Sequence, residues 1–308
     1  ALRGLPVIPR KKVFYKGKEI EEMDLDTILQ VHPEIVIVDE LAHTNVEGCR
    51  HAKRWQDVME LLDAGINVLS AVNIQHIESL NDEVRTMVGI DVRERIPDSV
   101  IREADEVVNI DLTAEELVER LKAGKIYARE KIQTALDNFF KTDNILQLRE
   151  LALKEVALRV GKKVADEVMP KTRNARGVAK LVVCVSSNNA TPQHIRRKAA
   201  RMADIHDAEL VALYVQTPGE NTDSIPLNTQ RHLINHLELV VELGGKVHKV
   251  ESDNVFQSIA DFCREQRATM LCMGQPSLSL PRLLMKAGRY RRILAELKEM
   301  GIDLMIIA

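Results

Sequence analysis

The sequence predicts an α/β chain built from two parallel-sheet units in series, and three observations carry that expectation. Short runs of β-branched and aliphatic residues recur along the chain, each the length of a strand. Between them lie segments with apolar residues every three or four positions, the pattern of helices packed on a sheet. The alternation stops after Lys125 and resumes at Lys180, so the 308 residues divide into two blocks, each long enough for its own core.

In the first block Val13–Lys16, Ile35–Asp39, Asn67–Val72 and Glu106–Ile110 read as strands, while Trp55–Ala64 and Ile77–Val88 carry helical periodicity. Alternation of this kind predicts a parallel sheet covered on both faces. Gly65 follows Ala64 as a C-terminal cap, and Thr113-Ala114-Glu115-Glu116 opens the next helix with a capping box. Tyr127–Phe140 and Asn144–Val164 read as a helical appendage. Lys162–Gly177, with Pro170 and five basic residues, reads as a linker. The expected domains are therefore 1–161 and 179–308, joined by 162–178. In the second block strands are expected at Lys180–Ser186, Glu209–Gln216, Lys246–Val250, Thr269–Met273 and Asp303–Ile307. Helices are expected at Pro192–Ile205, Thr229–Leu243, Val255–Glu265 and Tyr290–Met300, which makes a doubly wound domain.

Composition narrows the function classes. The longest apolar runs, Ile35–Val38 and Leu181–Val185, fall far short of the roughly 20 residues a membrane-spanning helix needs. No secretory signal opens the chain, and Cys49, Cys184, Cys263 and Cys272 are scattered without C-x-x-C spacing, so a reducing, cytoplasmic setting is expected. A net charge of only −3 argues against nucleic acid as a partner. His43, Cys49 and His51 cluster but lack a fourth ligand, so no metal site is expected beyond Mg²⁺ at Asp39. Trp55 beside Lys53 and Arg54 suggests base stacking in isolation; with 3% aromatic residues in the chain, core packing is the expectation.

The run Glu34–Asn45 carries the most chemistry. A β-branched strand delivers two carboxylates, Asp39 and Glu40, to its end, as a Walker B strand places an acid beside Mg²⁺ and a second near the γ-phosphate. Its counterpart, a G-x-x-x-x-G-K-[ST] loop, occurs nowhere in the sequence. The alternative for the acid pair is a turn cap or surface ion pairs. His43, Thr44 and Asn45 follow directly; they read either as a γ-phosphate switch or as a turn that caps the helix near Trp55. Asn73, Gln75 and His76 end the next strand on the same edge.

Val38 to Asp82, VDELAHTNVEGCRHAKRWQDVMELLDAGINVLSAVNIQHIESLND, resembles the amino-terminal domain of the KdpD family of osmosensitive potassium sensor kinases. The likeness continues through Ile96–Val100, Glu103–Val107, Asn138–Phe140 and Leu148–Leu153. The resemblance implies a P-loop-like domain, with Asp39 and Glu40 in the Walker B role. In that family a Walker A loop lies N-terminal to the region resembling Ala1–Asp24, so ATP and Mg²⁺ are expected to bind only with that loop present. The second block resembles the universal stress protein domain that follows in the same family.

In such a domain a ligand is expected where the loops after the first and fourth strands diverge, here Ser186–Asn189 and Gly274–Ser279. ATP-binding universal stress proteins carry G-x-x-G followed nine residues later by G-[ST]. This chain has Gly274, then Ser277 in place of the second glycine, then Ala287-Gly288. The sensor-kinase version binds cyclic di-AMP through an S-x-S turn and an F-T-A-x-Y segment. Here Ser187 and, on the second strand, Ala212 and Tyr214 match, whereas Asn189, Leu210 and Val211 depart. Ser186, Ser187, Asn189, Tyr214, Gly274, Ser277, Ser279, Arg282 and Arg289 are thus the second candidate site. Arg282, Lys286, Arg289, Arg291 and Arg292 form a basic cluster for phosphates, for an acidic partner, or as a solvated face.

The resemblance implies a cytoplasmic sensory module of a KdpD-like kinase that governs potassium-transport gene expression and answers to a nucleotide. Its expected partners are the kinase core, other domains of the same protein, a nucleotide second messenger and, as an open possibility, a second copy. The chain shows no phosphoacceptor helix and no kinase glycine boxes, so autophosphorylation is not expected of it. Two rivals stand: a nucleotide hydrolase whose P-loop has been cut off, and a freestanding nucleotide-binding or protein-interaction scaffold.

Overall fold

The structure, a computed structural model, describes residues 4–89, 91–126, 129–138, 140–168, 179–187, 193–220, 225–275 and 280–307. Side chains are described at these positions except 129, 131, 137–138, 161–168, 280–287 and 289–290. By their contacts the residues form two compact units, Ala1–Ile96 and Pro97–Ala308.

The first unit opens with an antiparallel hairpin of β1 (Lys11–Tyr15) and β2 (Lys18–Glu22). Lys16 and Gly17 turn it with φ of 47° and 79°, both left-handed, as a tight two-residue turn requires. Helix α1 (Leu25–Val31) follows, capped by Asp24, whose carboxylate accepts the Thr27 N–H at 3.2 Å. Strands β3 (Ile35–Val38) and β4 (Asn67–Ser70) pair in parallel, Val36 opposite Val68 and Ile37 opposite Leu69. Helix α2 (Arg54–Asp63) connects them and ends at Gly65, whose φ of +83° suits glycine. Helix α3 (Asn81–Val88) starts later than the periodicity predicts, because Ile74–His76 and Glu78–Leu80 form 3₁₀ turns.

The parallel pairing holds, but the expectation of a sheet covered on both faces needs correction. Val38 is buried, whereas Ile35, Ile37 and Leu69 on the opposite face are 55%, 55% and 60% exposed.

In the second unit α4 spans Asp98–Arg102. Glu106–Ile110 forms no strand, although three of its five residues are β-branched. Val108 and Ile110 are mostly exposed, and an extended segment with no neighbour to complete its hydrogen bonds joins no sheet. Helices α5 (Ala114–Lys122), α6 (Arg129–Asn138) and α7 (Thr142–Val168) follow. The capping box of α5 forms as expected: Glu116 N–H donates to Thr113 Oγ1 at 3.2 Å and Thr113 N–H to Glu116 Oε2 at 3.1 Å. Helix α7 runs to Val168, into the segment expected as a linker; 169–178 lie outside the described residues. On α7 the buried carboxylate of Glu155 accepts Arg159 at 2.7 Å and Arg201 at 2.5 Å, which clasps α7 to the α/β domain.

That domain has five parallel strands, β5 (Lys180–Val185), β6 (Glu209–Gln216), β7 (Lys246–Glu251), β8 (Met270–Gly274) and β9 (Asp303–Ile307), ordered β7-β6-β5-β8-β9. Alternation along the strands fills two cores. Leu181, Val183, Leu210 and Ala212 pack on α8 (His194–Ile205) and α9 (Leu227–Glu242). Val182, Val211 and Leu213 pack on α10 (Val255–Glu265) and α11 (Leu280–Met300). The chain leaves β5 for β6 on one side and reaches β8 on the other, so the switch point lies at their carboxyl ends.

Candidate functional site

Asp39 and Glu40 emerge at the end of β3 with exposed side chains. Glu40 has a φ of 53°, an uncommon conformation for a residue with a Cβ, and its N–H donates to Asp39 Oδ1 at 2.8 Å. Beneath them lies Glu22, 2% exposed, which gathers three donors. His43 Nε2 approaches both its oxygens at 3.1 Å, the Val46 N–H donates at 3.1 Å, and Arg54 Nη2 donates at 3.3 Å. Arg54 also donates to the Asp39 carbonyl at 3.2 Å and pairs with Glu40 at 3.6 Å, so one guanidinium ties the acid turn to the buried carboxylate.

His43, Thr44 and Asn45 are brought together with the acid pair but face different partners. Thr44 accepts Lys53 Nζ at 2.6 Å, and its N–H donates to Glu94 Oε1 at 3.0 Å. Asn45 donates to the His51 carbonyl at 3.0 Å and to Asp57 at 2.7 Å. Burial raises the Asp57 carboxyl above its usual range, against the lowering effect of the Asn45 bond. These contacts brace the 43–54 loop, while the N-cap of α2 is Lys53, whose N–H donates to Gln56 Oε1 at 3.0 Å. His51 meets Glu60 at 2.7 Å rather than Cys49 or His43. Among the described residues no group of three His, Cys, Asp or Glu side chains is arranged to hold a metal ion. His76 Nδ1 lies 2.7 Å from the Glu94 carbonyl, and Trp55 is half-buried on α2.

At the second site Ser187 Oγ donates to Glu220, whose other oxygen accepts Thr217 N–H at 3.0 Å and Oγ1 at 2.9 Å. Tyr214 pairs with Val185 across the strands and is buried; burial and the Glu220 charge push its hydroxyl pKa up to about 12. Gly274 ends β8, and the next N–H, of Gln275, donates to the Ile307 carbonyl at 2.7 Å. Ser186, Ser187, Tyr214 and Gly274 thus share one sheet edge. Asn189, Ser277 and Ser279 lie outside the described residues. Arg282, Lys286 and Arg289 fall on α11, with side chains outside them too. Arg291 and Arg292 are exposed, and Arg292 donates to Glu296 at 3.1 Å.

Residues 1–160 match the family described as "KdpD: Osmosensitive K+ channel His kinase sensor domain", which is more than half of the chain. The chain belongs to the KdpD family. A putative sensor protein KdpD of Synechocystis is 39% identical over 308 residues, covering 99% of this chain and 80% of the relative. Sensor protein KdpD of Mycobacterium tuberculosis is 40% identical over 99% of this chain and 35% of its own length; that of Escherichia coli is 38% identical over 90% and 31%. The chain thus spans about a third of the length of several KdpD relatives. Among solved structures, a universal stress protein from Archaeoglobus fulgidus covers 43% of this chain and all of that one, at 16% identity and TM-score 0.34. A universal stress protein in complex with cAMP covers 42% of this chain and 98% of that one, at 15% identity and TM-score 0.29.

In this KdpD family chain two groups escape a reading by motif. Glu22 sits in KEIEE, where every charge reads as solvated, and nothing local marks the last one as buried. Arg196 sits in HIRRKAARMADI, which reads as a basic surface helix, yet it is 1% exposed. Its signal is phase: Arg196, Ala199, Ala200 and Ala203 fall at i, i+3, i+4 and i+7, so the cation lies on the apolar stripe.

Proposed function

We propose that the chain is the nucleotide-responsive sensory module of a KdpD-type sensor kinase that governs potassium-transport gene expression. The observation that supports this reading is the continuous likeness to KdpD sensor proteins across both units, 99% of the chain. Because the chain spans about a third of several of these relatives, the kinase activity, the kinase core as partner and a cytoplasmic location of this module belong to the proposal. Among the described residues no helix is long and apolar enough to cross a membrane. The proposed organisation is a P-loop-like domain with helical appendage over 1–161, a connector over 162–178 and a universal-stress-protein-like domain over 179–308.

Asp39 and Glu40 take the Mg²⁺ and water-orienting roles when a Walker A loop is supplied, and His43, Thr44 and Asn45 report the phosphate state through the braced loop. Arg54 is the coupling element, since it touches the acid turn and Glu22 together. The edge bearing Ser186, Ser187, Tyr214 and Gly274 takes a nucleotide second messenger, with cyclic di-AMP as the first candidate. Calorimetry with ATP and Mg²⁺ on this chain and on one extended upstream by a P-loop tests the first site. Tight binding by the extended chain alone is expected; equally tight binding by both removes the P-loop requirement. Titration with cyclic di-AMP, cyclic di-GMP and ATP tests the second, and no binding of any of them leaves the scaffold reading.

A further inference from the structure

At the carboxyl edge of β5 and β6 three side chains are closed off from water with polar atoms that find no hydrogen-bond partner among the described residues. Arg196 is 1% exposed, yet Nε, Nη1 and Nη2 find no hydrogen-bond partner among the described residues. The Tyr214 hydroxyl and His236 Nδ1 are in the same condition, at 2% and 4% exposure. They come from three elements to one face of the sheet. Arg196 stands in the first turn of α8, where the helix N-terminus adds positive potential. Tyr214 shares its face of β6 with Leu210 and Ala212, which pack against the α8 stripe. His236 projects from α9, bonds the Ser186 backbone and feels the Arg196 charge.

An unpaired buried guanidinium is one of the costliest arrangements a core can hold, and here it acts on His236 and shares its face of the sheet with Tyr214, on which the Glu220 charge also acts. We infer that Arg196, Tyr214 and His236 form a buried subsite for a phosphoryl group. The chemistry selects that ligand over a carboxylate. Arg196 offers a fork of N–H donors and Tyr214 an O–H donor, enough for two oxygens. The Ser186 bond favours the charged ring, so it is a donation to a carbonyl, and it uses the other ring nitrogen; Nδ1 is left as an acceptor. A third oxygen that carries a proton satisfies it. Orthophosphate and a terminal phosphate monoester have such an oxygen, whereas a phosphodiester has none. The inference deepens the nucleotide reading of this edge and depends on it only for the source of the phosphoryl group.

The test is calorimetric titration of the full chain near neutral pH with orthophosphate, ATP and cyclic di-AMP, using the parent, Arg196→Met and Tyr214→Phe. Orthophosphate and ATP are expected to bind, with affinity about ten- to a hundredfold weaker in Arg196→Met and a few-fold weaker in Tyr214→Phe. The ligand-free thermal midpoint of both variants should stay level or rise, because each removes an unmatched buried polar group. A structural role would instead lower the midpoint. Orthophosphate and ATP affinities unchanged in both variants, or absent in the parent, overturn the subsite. Should Arg196→Met fail to fold, Tyr214→Phe decides alone. Cyclic di-AMP binding with no binding of orthophosphate or ATP would keep the nucleotide reading and sink the subsite. Arg196-dependent orthophosphate binding with no nucleotide binding would do the reverse.

Discussion

At the end of β3 the buried carboxylates of Glu22 and Asp57 hold donors supplied by the loop that follows, while at the end of β5 and β6 the buried cation Arg196 finds no acceptor among the described residues. The two edges look alike in sequence, each a strand running into polar residues. The first nearly completes itself: Arg54, His43 and the Val46 N–H close on Glu22 and position the exposed acids above, with Arg54 Nε left unmatched among the described residues. The second leaves its charge unmatched among the described residues, as a site for an added group would. A buried charge held by its neighbours reads as a brace, and one with all three nitrogens unmatched reads as a receptor.

The largest effect that would break this contrast is at Glu22. Glu22→Ala strands Arg54 and the Val46 N–H, so the first unit should lose about 3–5 kcal/mol, the cost of removing one partner of a buried pair. Denaturant unfolding, with hydrogen exchange over 43–54 as the local readout, measures it. A loss below about 1 kcal/mol would mean the loop is not braced by Glu22. The sign is opposite to that expected for Arg196→Met.

Next in size is a pH effect at the second edge. Burial, then the Arg196 charge and that of His232, hold the His236 pKa down to about 4 from an ordinary 6.5, against the Ser186 backbone bond that favours the charged ring. The folded state therefore refuses a proton that the unfolded chain accepts. Stability is whole above pH 6.5 and falls as pH drops toward 4, by about 3 kcal/mol at most. Unfolding of the parent and of His236→Gln across that range checks this. The slope should flatten in the variant, and equal slopes would remove His236 as its source.

The smallest effect is at the acid pair. Asp39 is exposed, and Asp39→Asn keeps the acceptor for the Glu40 N–H, so stability should change by no more than about 0.5 kcal/mol. A larger loss by thermal unfolding would make Asp39 part of the brace instead of a free ligand.

Much of the second unit is legible because its central strands are buried on both faces and read as unbroken apolar runs, KLVVCV and ELVALYVQ, between amphipathic helices. Helix α2 and the α5 capping box are legible for the same local reasons. Strand β2 is not, since KEIEE carries four charges and its partner is supplied across a turn. Helix α1 has only seven residues, too few for a periodic signal. Glu106–Ile110 misleads in the opposite direction, because β-branched residues state a preference that only a neighbouring strand can fulfil. Asp39 and Glu40 are readable from a strand end, whereas Glu22 and Arg196 acquire their meaning from what lies over them.

The open face of β3 bears on how the molecule behaves at high concentration. Ile35 and Ile37 beside Leu69 make a short, flat, greasy ledge of the kind that recruits extended chains from other molecules. Only four residues lie in the strand, fewer than the roughly six or seven that stacked fibrils draw on. Glu34 closes the ledge at one end and Asp39 with Glu40 at the other, like-charged stops that repel a second copy in register. The carboxylates proposed for Mg²⁺ thus have a second occupation as gatekeepers against fibril growth, and replacing them with neutral residues exchanges solubility for whatever is learned about binding.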